Sequence, residues 1–113
     1  PGAHINAAGG NHWMRRELDD DVIRKSDPIV VDDIEQAKIE CGDILSAIER
    51  GITGWQHVRN FSEIINQTYD GRPTDESITL FESQGLAIQD VCVAKAVYEA
   101  ALKLGIGQQI LSD

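Results

Sequence analysis

The chain has 113 residues, one domain on the usual scale of about 100–200 residues, and its 10 Lys and Arg against 19 Asp and Glu give a net charge of −9. A surface this acidic repels phosphate backbones and anionic bilayers, so neither nucleic acid nor a membrane is an expected partner. Hydrophobic residues at 42% suit a folded domain rather than a disordered one, and no stretch approaches the roughly 18 apolar residues of a membrane span or the basic-then-apolar start of a secretory signal.

Residues 1–12 are rich in Gly and Ala and read as a loop whose backbone packs closely on a ligand or a helix. Pro1 in place of Met points to a processed start or to a piece of something longer. The run Asp19-Asp20-Asp21 before Val22-Ile23 predicts a short helix over about 19–25, because acidic residues complement a helix N-terminus; Pro28 closes it. Ile29-Val30-Val31 is too short for a helix and rich in β-branching, so it predicts a buried strand. Asp32 and Glu35 stand at capping-box spacing and predict a helix to about Glu40. Gly42-Asp43 restarts it, with Ile44, Leu45 and Ile48 inward and Gly51 at its end. Trp55, Val58, Phe61, Ile64 and Ile65 recur at helical spacing and predict a helix face. Tyr69 to Pro73 is a turn, and Ile78 to Phe81 a second strand. Ile88, Val91, Ala94, Tyr98 and Leu102 predict a long helix over 86–104 closed by Gly105, and Gln108 to Leu111 is a candidate terminal strand. Cys41 and Cys92, both in helix-like patterns, are expected as reduced core residues of a cytoplasmic protein. Strands alternating with helices predict an α/β layer with mostly parallel pairing.

Complete catalytic constellations are missing. His4, His12 and His57 have no zinc-like spacing to Cys or carboxylates, so no metal site is expected. The two cysteines form no C-x-x-C, and neither a nucleophile elbow nor a phosphate loop is present. Two segments stand apart: Gly2 to Asn11 followed by Arg16-Glu17-Leu18-Asp19, and Thr79 to Asp90 across the joint between the second strand and the long helix.

These segments resemble the ornithine cyclodeaminase/mu-crystallin family. G-x-H-I-N-A-x-G matches Gly2 to Gly9, R-E-L-D matches Arg16 to Asp19, V-V-D-D-x-E-Q-A matches Val30 to Ala37, and F-[DE]-S-x-G-x-A-x-[QE]-D matches Phe81 to Asp90. The four motifs stand in family order and span nearly the whole chain. The resemblance implies a partial Rossmann-type layer, the C-terminal part of a dinucleotide-binding domain, over residues 1–85. Residues 86–113 would then be a long helix and tail returning to a substrate and dimerisation domain. It implies a parent about three times this length, an oxidoreductase using NAD or NADP on an amino acid or imino acid, or a cyclodeaminase.

The family's phosphate-binding glycine loop and substrate-carboxylate Lys and Arg would lie upstream. This chain alone is therefore expected to be inactive and to bind no cofactor, since dinucleotide affinity leans on the pyrophosphate at a helix N-terminus. Carried over, His4, Asn6 and Ala7 would sit near the nicotinamide ribose, and Gln84 and Gly85 would border the ring. Asn11 holds the position of the Asp that contacts the substrate amine in ornithine cyclodeaminases. An amide cannot act as a base at neutral pH, which argues against ornithine cyclodeamination. Glu82 stands where Asp is commoner; outside the family reading it would cap the long helix. The alternative to a fragment is an autonomous, non-catalytic binding or assembly module, a homo-oligomer with the 86–104 helix in its interface, or one completed by a partner carrying the missing N-terminal half. An unrelated acidic scaffold would require all four matches to be accidental.

Overall fold

The structure is a computed structural model, and it describes residues 1–108 and 110. In chain order it contains β1 (His4–Ala7), α1 (Asp20–Lys25), β2 (Ser26–Val31), α2 (Ile34–Glu40), α3 (Gly42–Glu49), a 3₁₀ turn (Trp55–His57), β3 (Val58–Asn60), α4 (Phe61–Ile65), β4 (Ile78–Glu82) and α5 (Ala87–Leu104). The four strands form one parallel sheet in the order β1-β4-β2-β3. The fold is α/β, as the alternation of elements predicts, and the strand at 29–31 does lead into a helix.

The register decides which residues meet. Leu80 pairs with Ile5 on one side and Ile29 on the other, and Glu82 pairs with Ala7 and Val31. Side chains in register on parallel strands share a face. One face therefore carries Ile5, Ala7, Ile29, Val31, Val58 and Leu80, and with Ala37, Cys41, Ile44 and Ala47 from the α2–α3 layer it forms the core. The opposite face carries His4, Asn6, Thr79, Phe81 and Val30, and Phe61 of α4 stacks on Phe81 with ring centroids 5.0 Å apart.

Several expectations are corrected. Residues 4–7 form a strand, not a loop: β1 lies at the sheet edge, and its outward His4 and Asn6 hide the alternation. The 55–65 segment is not one helix face but a 3₁₀ turn, a three-residue strand and a five-residue helix. Its residues at helical spacing divide between layers, with Val58 buried in the core and Phe61 across the sheet. β2 starts at Ser26, and Pro28 falls where the β2–β4 register shifts between Ser26 and Ile29, a place that asks for no ladder donor. The cap of α2 is Asp33, whose carboxylate accepts from Gln36 N at 2.9 Å, rather than Asp32. Of the expected terminal strand, Gln108 and Ile110 belong to no strand, and Gln109 and Leu111 lie outside the described residues.

α5 begins and ends as predicted, with Gly105 in the left-handed conformation at its C-terminus. It has no buried residue, and Cys92 is exposed rather than in a core. The reason is that no layer among the described residues covers the helix, so Ile88, Val91, Val97, Tyr98 and Leu102 all stand more than 60% exposed. The radius of gyration of 17.7 Å exceeds the roughly 13 Å of a compact domain of this length. No helix among the described residues is long and apolar enough to cross a membrane.

Leu80 is fully buried in the strand that joins β1 to β2. Leu80→Ala is expected to lower unfolding free energy by about 2–5 kcal/mol, a large share of the roughly 5–15 kcal/mol typical of a domain, measured as a fall in the urea midpoint at unchanged slope.

Candidate functional site

The strands run parallel, so their carboxyl ends share one edge, where α/β sheets bind ligands. Three segments meet there: the loop after β1 from Ala8 to Leu18, the Asp32-Asp33 exit of β2, and Ser83-Gln84-Gly85 after β4.

Asp32 fixes the last of these. Its carboxylate accepts from Ser83 Oγ at 2.8 Å, from Gly85 N at 2.9 Å and from Gln89 Nε2 at 3.0 Å. Burial pushes the Asp32 carboxyl up, but hydrogen bonds from Gln89, Gly85, Ser83 and the Gln84 backbone outweigh it and hold the group below the ordinary Asp value. Gly85 takes φ +80° in this turn, a conformation that side chains strain, and space is open where a Cβ would stand. Gln89 also accepts from Leu86 N at 3.3 Å and so caps α5. Glu82, the expected cap, does not: it is buried beneath the sheet's edge with Oε1 facing Cys41 Sγ at 3.6 Å.

The loop after β1 is fastened by carboxylates. Glu17 Oε2 accepts from Gly9 N at 3.0 Å, and Asp43 accepts from Glu17 N and Leu18 N at 2.9–3.1 Å. A Cβ on Gly42 would stand 2.1 Å from the Arg15 carbonyl, so this loop lies directly on the start of α3. Asn11 sits in the loop with its side chain exposed.

The structure divides the cofactor residues expected from the sequence into two groups. Ala7, Gln84 and Gly85 gather at the carboxyl edge, where Ser83 N donates to Ala7 O at 2.8 Å. His4 and Asn6 instead face a cleft of about 340 Å³ on the α4 side, with Phe61, Ile64, Thr79 and Phe81. There Arg72 donates to Thr79 Oγ1 at 3.2 Å, Thr79 Oγ1 lies 2.7 Å from His4 Nδ1, and His4 Nε2 lies 3.2 Å from Asn6 Oδ1. Asn6 Oδ1 only accepts, so His4 Nε2 is the donor of that pair, and in a neutral ring Nδ1 then accepts the Thr79 hydroxyl proton. Sequence reasoning missed Asp32, Glu17 and Asp43. The Asp32-Asp33 doublet was the available signal, because one helix needs only one cap.

Gln84 is 8% exposed, and both polar atoms of its amide are buried without a partner. A primary amide left so costs about 1–3 kcal/mol, and it fits a planar carboxamide ligand, which offers one donor and one acceptor. Among the described residues no group of three His, Cys, Asp or Glu could hold a metal ion.

The profile of the ornithine cyclodeaminase/mu-crystallin family matches residues 1–105. The chain belongs to that family. It is 48% identical over 110 residues to an alanine dehydrogenase of Archaeoglobus fulgidus, covering 96% of this chain and 34% of that protein. Its backbone is similar to an archaeal alanine dehydrogenase dimer with bound NAD (TM-score 0.79, 47% identity, 97% of this chain and 34% of that one). It is also similar to the Delta(1)-pyrroline-2-carboxylate reductase of Thermococcus litoralis in complex with NADH and L-proline (TM-score 0.85, 40% identity, 95% of this chain and 33% of that one). The chain spans about a third of the length of the relatives it matches.

Asp32→Ala should cost about 2–4 kcal/mol, since three donors lose an ionised acceptor. Because the folded carboxyl is held below its unfolded value, its contribution is complete above about pH 4 and is lost as pH falls through the folded value. Urea unfolding against pH should therefore show an acid-side decline in the wild type that Asp32→Asn flattens.

Proposed function

We propose that this chain is the C-terminal part of an NAD(P)-dependent oxidoreductase that acts on an amino acid or a cyclic imino acid. The observation that carries the reading is the 48% identity to alanine dehydrogenase across nearly the entire chain. The buried, unpartnered Gln84 amide supports it. A bound nicotinamide would supply hydride exchange with the substrate Cα. Gln84 would hold the carboxamide, Gly85 would leave room for the ring, and Ala7 would line the same edge; His4 and Asn6 are assigned to the ribose side. Asn11 would donate or accept one hydrogen bond without taking a proton, which favours dehydrogenation or imine reduction over ornithine cyclodeamination.

In this reading the Rossmann-like part ends at residue 85, and residues 86–113 reach into a substrate and dimerisation domain built from upstream sequence. The uncovered apolar helix α5 and the unpaired outer edge of β1 among the described residues support an N-terminal portion. The alternative is an autonomous, non-catalytic module that covers α5 with a second copy of itself. A cytoplasmic setting is part of the proposal, supported by two free cysteines.

The 113-residue chain alone is expected to form no NADH from alanine, ornithine or arginine. Joined to the upstream two-thirds of the archaeal alanine dehydrogenase, it should bind NADH and turn over. Turnover by the isolated chain would overturn the fragment reading, and a folded but inert chimera the oxidoreductase reading. In sedimentation at micromolar concentration the isolated chain should run as an oligomer, weakened by Val91→Glu; a monodisperse monomer counts against the self-association.

A further inference from the structure

Glu82 and Asp43, 1% and 3% exposed, are buried beneath the loop after β1, and their carboxyl groups lie within hydrogen-bonding range of each other. Asp43 is the one supplied with donors. It accepts three hydrogen bonds from the backbone N–H groups of Glu17 and Leu18. Glu82 has no such support. Its Oε1 faces the Cys41 thiol at 3.6 Å, and its Oε2 is buried without a partner when the group is taken as ionised. An ionised carboxylate only accepts, so two of them cannot bond each other; a protonated one donates.

We propose that Glu82 is a protonated acid that donates from Oε2 to the Asp43 carboxylate, and that this shared proton latches the Gly9–Leu18 loop, and Asn11 with it, to the carboxyl edge of the sheet. The proton satisfies the orphaned oxygen and leaves one negative charge in the pair, which the Glu17 and Leu18 amides hold. Removing it leaves two buried anions in contact, and the loop is the part free to move. The groups that face Glu82 are Cys41 and Asp43 from the α2–α3 layer and Glu17 from the loop itself. The neighbouring strands present Ala7 and Val31, which do not titrate. Burial first, then the Asp43 charge, push the Glu82 carboxyl up to about 8, and burial pushes the Cys41 thiol far above its ordinary range, so it stays a donor. The latch belongs to this chain and needs no cofactor.

The sign follows from linkage. Folded Glu82 keeps a proton that the unfolded chain releases near its ordinary value of 4.5, so stability falls as pH rises from there to about 8 and is level beyond. The test is a side-chain carboxyl ¹³C titration with backbone amide shifts, on the wild type, Glu82→Gln and Asp43→Asn. In the wild type one carboxyl, absent from Glu82→Gln, should titrate near 8, and the Glu17 and Leu18 amides should shift with the same midpoint. Glu82→Gln can still donate to Asp43, so it should keep the loop amides in place and abolish that transition. Asp43→Asn should lower the Glu82 midpoint by at least ~1 unit; if this variant does not fold, the other two decide. A Glu82 carboxyl that titrates below about pH 6, or loop amides that ignore its titration, would overturn the latch.

Discussion

The sheet depends on β4 entering between two strands already far behind it in sequence. β1 and β2 do not pair with each other; Leu80 and Phe81 of β4 meet Ile5 and Asn6 on one side and Ile29 and Val30 on the other. Until residues 78–82 arrive, the first strand has no place in the layer. Pairings this distant in sequence close long loops before they gain any contact, which makes them slow and strongly cooperative. The parallel sense of that insertion also aligns every strand's carboxyl end, so the requirement that completes the core assembles the candidate site as well.

What leaves β4 is divided by the alternation of a strand. Glu82 points into the helix layer and reaches Cys41 and Asp43. Ser83 turns the other way and binds Asp32. Gln84 is buried again with its amide unpaired, and Gly85 turns the chain into α5. Of three consecutive side chains, one thus enters the layer below, one bonds the exit of the strand beside it and one is buried unpaired. Two acidic residues do opposite electrostatic work within this short span. Asp32 is an anion because donors converge on it, whereas Glu82 meets a carboxylate and a thiol.

Much of this was legible in the sequence where apolar period and caps agree: β2, α2, α3, β4 and α5 all follow from branched runs, helical stripes or terminal Gly. The failures share a cause. β1 and β3 have four and three residues, too few for a period of two to show, and β1 presents His4 and Asn6 outward. The false helix at 55–65 arose because residues bound for opposite faces of the sheet happened to stand three or four apart. Local spacing suggests only local partners, so in the sequence Asp32 and Glu82 look like caps. Their partners lie 51 and 41 positions away, and the motif match marked the segments without saying what the carboxyl groups touch.

α5 carries an argument of its own. Eighteen residues of good helix propensity in isolation are marginal in water, because most helical stability comes from packing an apolar face. Here the face is present and nothing in the described chain covers it. Its start is nevertheless held firmly: Gln89 joins the first turn to Asp32, and Gln36 Nε2 donates to the Gly85 carbonyl at 3.0 Å. Such a helix has a direction imposed by the sheet and a surface suited to another body. The apolar surface further along therefore projects from a first turn that Gln89 and Asp32 tie to the Ser83–Gly85 turn.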